Sequence, residues 1–289
     1  MKNRPTTVIL ALTFAALAII IGTGCGRHDT AAISIAGSTT MEPLTSTLVR
    51  VYGEATRKHV VISANGSHTG ISALIDGRCD IAESSTKISP EELESAHGKG
   101  ITIKEFIIAK GMIVPIVHRS NPVRDISLER PRLIYTGNIR DWSGLGGQGV
   151  IDAVGRDGFS GTYDVWKRIV LKDVEPAREV KGMPSTTMVL AHVARHENAI
   201  GYVEYAYLNP DVRALRIDGT DAASLFDGKN MSYPLVRELY YYVTEKGFKG
   251  DVKKFIIFSL SKEGQEAAKR AGFRYPSRRS ASVTVTVTL

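Results

Sequence analysis

The segment VGRDGFSGTYDVW (154–166) combines one arginine with a short run of small and hydroxyl residues. Arg156 stands four positions ahead of Ser160, and Gly161 and Thr162 follow directly. A guanidinium supplies a full positive charge and a planar fork of donors that suits an oxyanion. Hydroxyl groups add donors, glycine lets the backbone approach a ligand, and a helix that begins here would offer unpaired N–H groups. The segment therefore predicts a seat for a small oxyanion.

Two earlier segments share this design, in which a strand is followed by small or hydroxyl residues and then by the start of a helix. They are Gly37-Ser38-Thr39 and Gly66-Ser67. A single loop of this kind is more often just a helix cap, and Arg156 by itself could pair with Asp157 or Asp164 at the surface. Three such loops together with the arginine favour one shared anion site.

The elements around these loops alternate between strand and helix. Apolar strand patterns occupy 31–37, 59–65 and 79–85, and a helix pattern follows each of them. The first helix repeats apolar residues at helical spacing from Met41, and the hydroxyl residues 38–40 are predicted to cap it. Ser89 is the predicted cap of the third helix. This alternation predicts parallel βαβ units and an α/β fold.

Two long β-rich runs, 101–118 and 235–245, are long enough to leave one lobe and enter another. They predict two α/β lobes joined by two crossover strands, with a cleft between the lobes that suits a ligand and hinge closure. One helix is predicted after the second run, over 250–273. The predicted boundaries are residues 33–117 and 233–275 for lobe 1, 118–232 for lobe 2, and 276–289 for a C-terminal tail.

The N-terminus has the pattern of a secretory signal. Lys2 and Arg4 precede an apolar run, and small residues then lead to Cys25. We predict that residues 1–24 are a signal peptide and that residues 25–32 are a linker lipidated through Cys25. A plain signal peptide and an uncleaved anchor helix are the alternatives. The other cysteine, Cys79, is then left without a disulfide partner and is predicted to be a small, partly buried residue.

Composition narrows the class of protein. The 289 residues are 43% hydrophobic and 23% charged with a net charge of +7, which is ordinary for a globular chain. Segment 1–24 contains two basic and no acidic residues, so the mature chain carries a net charge of +5. A modest positive excess suits anionic ligands or an anionic membrane surface. No basic stripe alternates with aromatic residues, and we expect no nucleic-acid partner.

Other motifs do not indicate catalysis or a cofactor. His192 and His196 are four residues apart, but Val193 stands where a zinc protease has glutamate, so a solvated helix face is predicted. Gly-Phe-Ser-Gly-Thr around Ser160 is not a nucleophile elbow. We therefore expect a protein that is not an enzyme and needs neither metal nor cofactor.

Five motifs, taken in order, resemble the periplasmic phosphate-binding proteins of ABC phosphate transporters, the PstS-like solute-binding family. They are AGSTTMEPL, NGSHTGISALIDGRCDIAESS, SNPV with LIYTGNIRDW, VGRDGFSGTYDVW and AIGYVEYAYL. The resemblance runs from about residue 33 to 273. It implies a type II periplasmic-binding-protein (Venus-flytrap) fold with phosphate buried between the lobes. It further implies an extracytoplasmic, lipid-anchored monomer that delivers phosphate to the permease subunits of an ABC transporter.

The resemblance also implies the phosphate-binding residues. They are Ser38, Thr39, Ser67, Ser85, Arg156, Ser160, Gly161 and Thr162. Ser85 falls where some family members carry an aspartate that accepts the phosphate proton. A serine discriminates less against sulfate, and Asp157 is a candidate acceptor in its place. His68 replaces the small residue usual at its position and is predicted to be a solvent-facing loop histidine. The alternative hypothesis is that protonated His68 tightens anion binding below its pKa.

Three alternatives remain open from the sequence. The ligand could be sulfate or another tetrahedral oxyanion. The protein could instead be a secreted phosphoester hydrolase that uses Ser160 or Thr162. It could also be a surface phosphate sensor that binds a kinase rather than a permease.

Overall fold

The computed structural model describes residues 32–225 and 233–274 and the backbone of residues 285–287. The predicted signal peptide, the lipidation site at Cys25 and most of the predicted tail lie outside the described residues. Within the described part of the chain, no helix combines the length and the apolar character that crossing a membrane requires.

The described residues alternate strands and helices, as the patterns predict. The strands are β1 (Ile33–Gly37), β2 (Val60–Ala64), β3 (Ile81–Ser84), β4 (Ile103–His118), β5 (Asp125–Ile126), β6 (Asp152–Arg156), β7 (Lys181–Met183), β8 (Ala199–Glu204), β9 (Val212–Ala214), β10 (Arg216–Ile217), β11 (Val236–Thr244) and β12 (Val285–Val287). The helices are α1 (Glu42–Thr56), α2 (Ser67–Ile75), α3 (Pro90–Gly98), α4 (Glu129–Tyr135), α5 (Gly161–Trp166), α6 (Thr186–Arg195), α7 (Gly250–Leu260) and α8 (Lys262–Arg270). A short π-helix continues α5 over Lys167–Leu171.

Hydrogen bonds link the principal strands in the order β2-β1-β3-β11-β4-β8-β6-β7. β1 runs parallel to β2 and β3, and β6 runs parallel to β7 and β8. Each parallel group therefore directs the carboxyl ends of its strands to one edge, where the polar loops follow. In parallel α/β sheets this is the edge at which ligands bind.

The strands β4 and β11 join the two parallel groups. β11 pairs antiparallel with β4 from Val236 opposite Met112 to Thr244 opposite Ile103, and it also pairs with β3. The second half of β4 pairs antiparallel with β8. Because β4 belongs to both halves of the sheet, it crosses between them as predicted, and the α/β two-lobed fold class is confirmed.

Buried apolar side chains form separate cores on the two sides of this crossing. One core, around Leu44, Phe106 and Phe255, draws on the segments 33–109 and 239–273. Another, which includes Trp142 and Trp166, draws on the segment 112–235. The predicted lobe boundaries stay a prediction, and this separation of cores supports them.

The structure differs from the sequence-based expectation at one helix. The predicted helix over 250–273 is two helices, because Ser261 has an extended backbone (φ −70°, ψ 166°). The Ser261 hydroxyl accepts a hydrogen bond from the Gly264 N–H and so caps α8. A serine that caps a new helix ends the preceding one, although the apolar pattern continues across it.

Part of the C-terminal tail is described. The backbone of β12 pairs antiparallel with the start of β4, with Val285 opposite Glu105 and Val287 opposite Ile103. The segment therefore covers a sheet edge.

Candidate functional site

Buried hydroxyl groups from both lobes meet where the parallel strands end. Each of them is at most 4% exposed, and they are contributed by the loop after β1, the start of α2, the loop after β3, the first turn of α5 and the start of α6. The cluster consists of Ser38, Thr39, Thr40, Ser67, Ser85, Thr162 and Thr186. We call this set the hydroxyl cluster.

Ser85 lies at the centre of the hydroxyl cluster. Its Oγ accepts from the Ser38 hydroxyl at 3.0 Å and lies 3.2 Å from Thr162 Oγ1 and 3.4 Å from Ser67 Oγ. Its backbone N–H donates to Ser67 Oγ at 3.2 Å. A hydroxyl placed in this way can either donate to a ligand or accept from it.

Threonines connect the two lobes on the other side of the cluster. Thr40 Oγ1 lies 2.8 Å from Thr162 Oγ1 and 3.3 Å from Thr186 Oγ1. Thr39 Oγ1 accepts from the Thr186 N–H at 3.3 Å. Since Thr39 and Thr40 follow β1 whereas the other two residues begin α5 and α6, these contacts hold the lobes against each other.

The prediction that the hydroxyl residues 38–40 cap α1 is wrong. The N-cap of α1 is Met41, and no side chain caps this helix. Ser38 Oγ does accept from the Thr40 N–H at 3.3 Å, but this bond stays within the loop. The three hydroxyls turn towards the cluster because the chain bends sharply after Gly37, which has a positive φ of 143° and no room for a β-carbon beside the Glu83 carbonyl.

The Arg156 guanidinium is buried beside the hydroxyl cluster. It donates to the Met183 and Pro184 carbonyls at 3.1 and 3.0 Å and to Thr186 Oγ1 at 3.0 Å. These bonds use three of the five N–H donors of a guanidinium, so two remain for a ligand. The alternative of a surface ion pair with Asp157 or Asp164 is therefore wrong. Burial lowers the pKa of Arg156, but an arginine stays charged at neutral pH.

Ser160 and Gly161 border the cluster in different ways. Ser160 is the N-cap of α5, and its hydroxyl accepts from the Tyr163 N–H at 3.4 Å. Gly161 faces the other lobe so closely that a β-carbon there would lie 2.7 Å from Ser67 Oγ and 2.8 Å from Thr86 Cγ2. Glycine is thus the residue that allows this approach between the lobes.

Sequence reasoning missed a second buried guanidinium, which lies on the crossover strand β11. Arg237 donates to Thr162 Oγ1 at 3.2 Å and to the Ser85 carbonyl at 3.1 Å. Its Nη2 also lies 2.9 Å from Glu204 Oε2, within an ion pair that is almost fully buried. The available signal was a charged pair, Arg237 and Glu238, within a strand whose other residues are mostly apolar or aromatic. Arg237 is thus paired with a carboxylate, although its Nη1 is buried without a hydrogen-bond partner, whereas Arg156 forms no ion pair among the described residues.

A buried glutamic acid, Glu83, lies against Gly37 at the start of the loop that follows β1. Burial raises the pKa of Glu83 to about 8, despite a hydrogen bond from the Thr45 hydroxyl. Glu83 Oε1 is buried without a hydrogen-bond partner. The carboxyl is therefore largely neutral at pH 7, which keeps a negative charge away from an anion site.

His68 joins the lobes next to the hydroxyl cluster. It lies on α2, its Nδ1 is 2.8 Å from Glu92 Oε1 on α3, and its Nε2 is 2.7 Å from Asp164 Oδ2 on α5. These two hydrogen bonds to carboxylates, Asp164 first, raise the pKa of His68 to about 10 against the opposing effect of burial. His68 is thus an imidazolium held between two carboxylates, one from each lobe.

Asp157, the candidate acceptor of the phosphate proton, stays a prediction. Its Oδ1 accepts from the Phe159 N–H at 3.2 Å and so stabilises the turn that precedes Ser160. The acceptor nearest the centre of the cluster is the Ser85 hydroxyl. Cys79, as predicted, is half-buried, and burial raises its pKa to about 11.

The chemistry of this site is that of oxyanion capture. The hydroxyl cluster, the free donors of Arg156 and the N-termini of α2 and α6 all supply hydrogen-bond donors or positive charge to one buried region. Two lobes that close over such a region define a solute-binding protein of the periplasmic type.

Comparison with known proteins identifies the family. The sequence profile of the PBP superfamily domain matches residues 26–263. The phosphate-binding protein PstS of Bacillus subtilis is 30% identical over 92% of this chain and 91% of its own, and that of Staphylococcus aureus strain USA300 is 28% identical over 82% and 76%.

Solved structures agree with the sequence relatives. A Clostridium perfringens protein assigned as a phosphate ABC transporter substrate-binding protein, with bound phosphate, has a TM-score of 0.78 and 29% identity, and the match covers 85% of this chain and all of that one. An ABC-type phosphate transport receptor from Vibrio cholerae has a TM-score of 0.67 and 25% identity, over 84% of this chain and all of the receptor. The chain therefore belongs to the PBP superfamily and, within it, to the phosphate-binding PstS proteins.

Proposed function

We propose that this protein captures inorganic phosphate between its lobes outside the cytoplasm and delivers it to the permease of an ABC transporter. One observation carries the proposal: seven buried hydroxyls from both lobes converge beside the buried guanidinium of Arg156. Its relatives are phosphate-binding proteins, and the solved Clostridium perfringens neighbour contains phosphate. The proposed ligands remain the eight residues that the sequence resemblance implied, and we add Thr40 and Thr186.

The proposed mechanism is closure on the anion. When the cleft excludes water, each charge-assisted hydrogen bond to the phosphate contributes roughly 1.5–3 kcal/mol net. Arg156 opposes the ligand charge, and the hydroxyls and helix-start N–H groups surround the remaining oxygens. The neutral Glu83 and the paired Glu204 do not repel the anion.

Sulfate is the second candidate ligand because of the chemical group at the centre of the hydroxyl cluster. The group at the centre of the cluster is the Ser85 hydroxyl rather than a carboxylate. A carboxylate would repel an anion without a proton, whereas a hydroxyl can donate to sulfate as readily as it can accept from monohydrogen phosphate. We nevertheless favour phosphate, because the relatives and the solved neighbour are phosphate-binding proteins.

A calorimetric titration tests both candidates. Ligand-free protein is titrated with sodium phosphate and, separately, with sodium sulfate at equal ionic strength. We expect 1:1 binding that is at least tenfold tighter for phosphate. Equal or tighter sulfate binding would reject phosphate as the ligand, and no binding of either anion would reject the proposed site.

We propose further that the protein binds phosphate without turnover. The hydrolase alternative needs an activated hydroxyl, but the Ser160 hydroxyl accepts a bond from the Tyr163 N–H and both ring nitrogens of His68 contact carboxylates. A chromogenic phosphate ester assay tests this directly. Release of product that disappears in a Ser160→Ala or Thr162→Val variant would establish hydrolysis instead.

Lipid anchoring through Cys25 and a monomeric state complete the proposal. Both remain predictions: Cys25 lies outside the described residues, and the predicted anchor depends on the sequence pattern alone. Mass spectrometry of the membrane-extracted protein would detect the added acyl mass, and Cys25→Ser should release the protein from the membrane. Light scattering of the purified protein would give its oligomeric state. A transport assay in cells that lack this protein would distinguish a transport role from a sensor that binds a kinase.

A further inference from the structure

Two histidines and an aspartate meet at the end of lobe 2 that lies away from the hydroxyl cluster. Asp152 is the first residue of β6, His192 lies in the last turn of α6, and His196 is the residue that directly follows this helix. One potential ligand atom from each residue lies within 4.8 Å of the others. Sequence reasoning predicted a solvated helix face for the histidines, but His192 is half-buried against Asp152 and only His196 is exposed.

The hydrogen bond of His196 leaves one of its ring nitrogens available to a ligand. His196 Nδ1 lies 2.7 Å from the His192 carbonyl, and since a carbonyl only accepts, Nδ1 carries the proton and Nε2 carries a lone pair. A backbone carbonyl that fixes the tautomer in this way is typical of metal-binding histidines. The two imidazole rings stack with their centroids 4.0 Å apart, so both face the same side of α6.

The aspartate completes the set of ligands. Asp152 Oδ2 lies 2.5 Å from His192 Nε2, and Asp152 Oδ1 binds the Lys181 ammonium at 3.0 Å. Oδ2 can therefore turn to a cation while Oδ1 keeps its lysine partner.

We propose that Asp152, His192 and His196 bind one divalent transition-metal ion of the zinc class. Two imidazoles and one carboxylate are ligands that zinc accepts, with metal–ligand distances of about 2.0–2.2 Å, and water fills the fourth position. Tetrahedral ligands at these distances lie about 3.3 Å apart. His192 Nε2 and Asp152 Oδ2 need to separate by less than about 1 Å to admit the ion, and the proton between them leaves or moves to Nδ1.

The position of the proposed metal site suggests what the ion does. β6 begins at Asp152 and ends at Arg156, about 13 Å away at the rise of a β-strand, and α6 begins at Thr186 beside the hydroxyl cluster. An ion that links the start of β6 to the last turn of α6 would fix these two elements relative to each other. We expect it to stabilise lobe 2 without contacting the anion.

Calorimetric titration of the tag-free protein with zinc chloride, in buffer free of phosphate and chelators, tests the site. We expect one saturable zinc ion per chain and a higher Tm with zinc. His192→Ala and His196→Ala should each weaken zinc binding at least about tenfold, whereas His97→Ala, at the end of α3, should not change it. Phosphate affinity should stay unchanged in all three variants, which also shows that they fold.

Two results would overturn the proposal. The first is no saturable zinc binding to the parent protein. The second is zinc binding that is equally tight in the parent and in His196→Ala, whose exposed side chain can be removed with little effect on folding. Because the proposed metal site shares no residue with the hydroxyl cluster, neither result bears on phosphate binding.

Discussion

Replacing His68 with alanine should weaken phosphate binding although His68 is not itself a proposed ligand. In the parent, the imidazolium joins Glu92 of lobe 1 to Asp164 of lobe 2 at 2.8 and 2.7 Å. The bond to Asp164 is made between the lobes and is lost when the cleft opens. Its removal should therefore destabilise the closed, anion-binding form relative to the open form and speed release of the ligand.

The expected size follows from the exposure of this ion pair. The side chains of His68 and Asp164 are 26% and 32% exposed, so water screens their attraction in part. Exposed pairs contribute up to about 1 kcal/mol, and buried charge-assisted hydrogen bonds about 1.5–3 kcal/mol. An intermediate value of about 1.4 kcal/mol corresponds to a dissociation constant about tenfold higher in the variant.

The pH dependence has a definite sign. In the closed form the pKa of His68 is about 10, above its ordinary value of 6.5, and opening removes Asp164 and lowers it. A basic group whose pKa is raised by closure contributes fully at low pH, and the contribution is lost as pH rises towards the closed-form pKa. The difference in affinity between parent and His68→Ala should thus be largest near pH 6 and should vanish only above pH 10.

Calorimetry with phosphate at several pH values measures this difference. Parent and variant are compared at the same pH, so the effect of the titration of phosphate itself cancels from their difference in affinity. Asp164→Asn provides a second test, because it removes the charge in lobe 2 and keeps the size of the side chain. Asp173→Asn, an exposed position of the same lobe, is the matched control and should behave as the parent does. Unchanged affinity of His68→Ala near pH 6 would refute the argument.

Three further substitutions test other parts of the site. Arg156→Ala should weaken phosphate binding by at least about 100-fold, because it removes the buried charge that is not paired with a carboxylate, and calorimetry measures the loss. Gly161→Ala would place a methyl group 2.7 Å from Ser67 Oγ and should weaken phosphate binding about tenfold by obstructing closure, with a smaller effect on Tm. Glu83→Gln should flatten the pH dependence of Tm. In the parent, the folded protein keeps a proton on Glu83 that the unfolded chain releases, so stability falls as pH rises from 4.5 to about 8, and the neutral amide has no such dependence.

Each of these predictions can fail in a recognisable way. Tight phosphate binding by a folded Arg156→Ala variant would reject the role of that guanidinium. Unchanged affinity in Gly161→Ala would mean that the lobes do not need to approach as closely as the structure shows. Parallel curves of Tm against pH for the parent and Glu83→Gln would show that Glu83 titrates normally.

The sequence determined the local elements and one part of the site. Alternation of apolar and polar residues located most strands and helices, since the periods of 2 and 3.6 residues depend only on neighbours in the chain. The segment around Arg156 also indicated anion binding, because its donors are close in sequence. The helix break at Ser261 was missed, because a serine that interrupts an apolar pattern has no distinct signal.

Only the tertiary structure decided which polar groups meet. Thr39 and Thr186 are 147 residues apart, and Arg237 is 75 residues from Thr162, yet each pair is in hydrogen-bond contact. The role of His68 likewise depends on Asp164, which is 96 residues away. Such contacts arise because the sheet order and the crossover strands bring distant loops to one edge, and the hydrogen bonds and charges there form only once both lobes are folded.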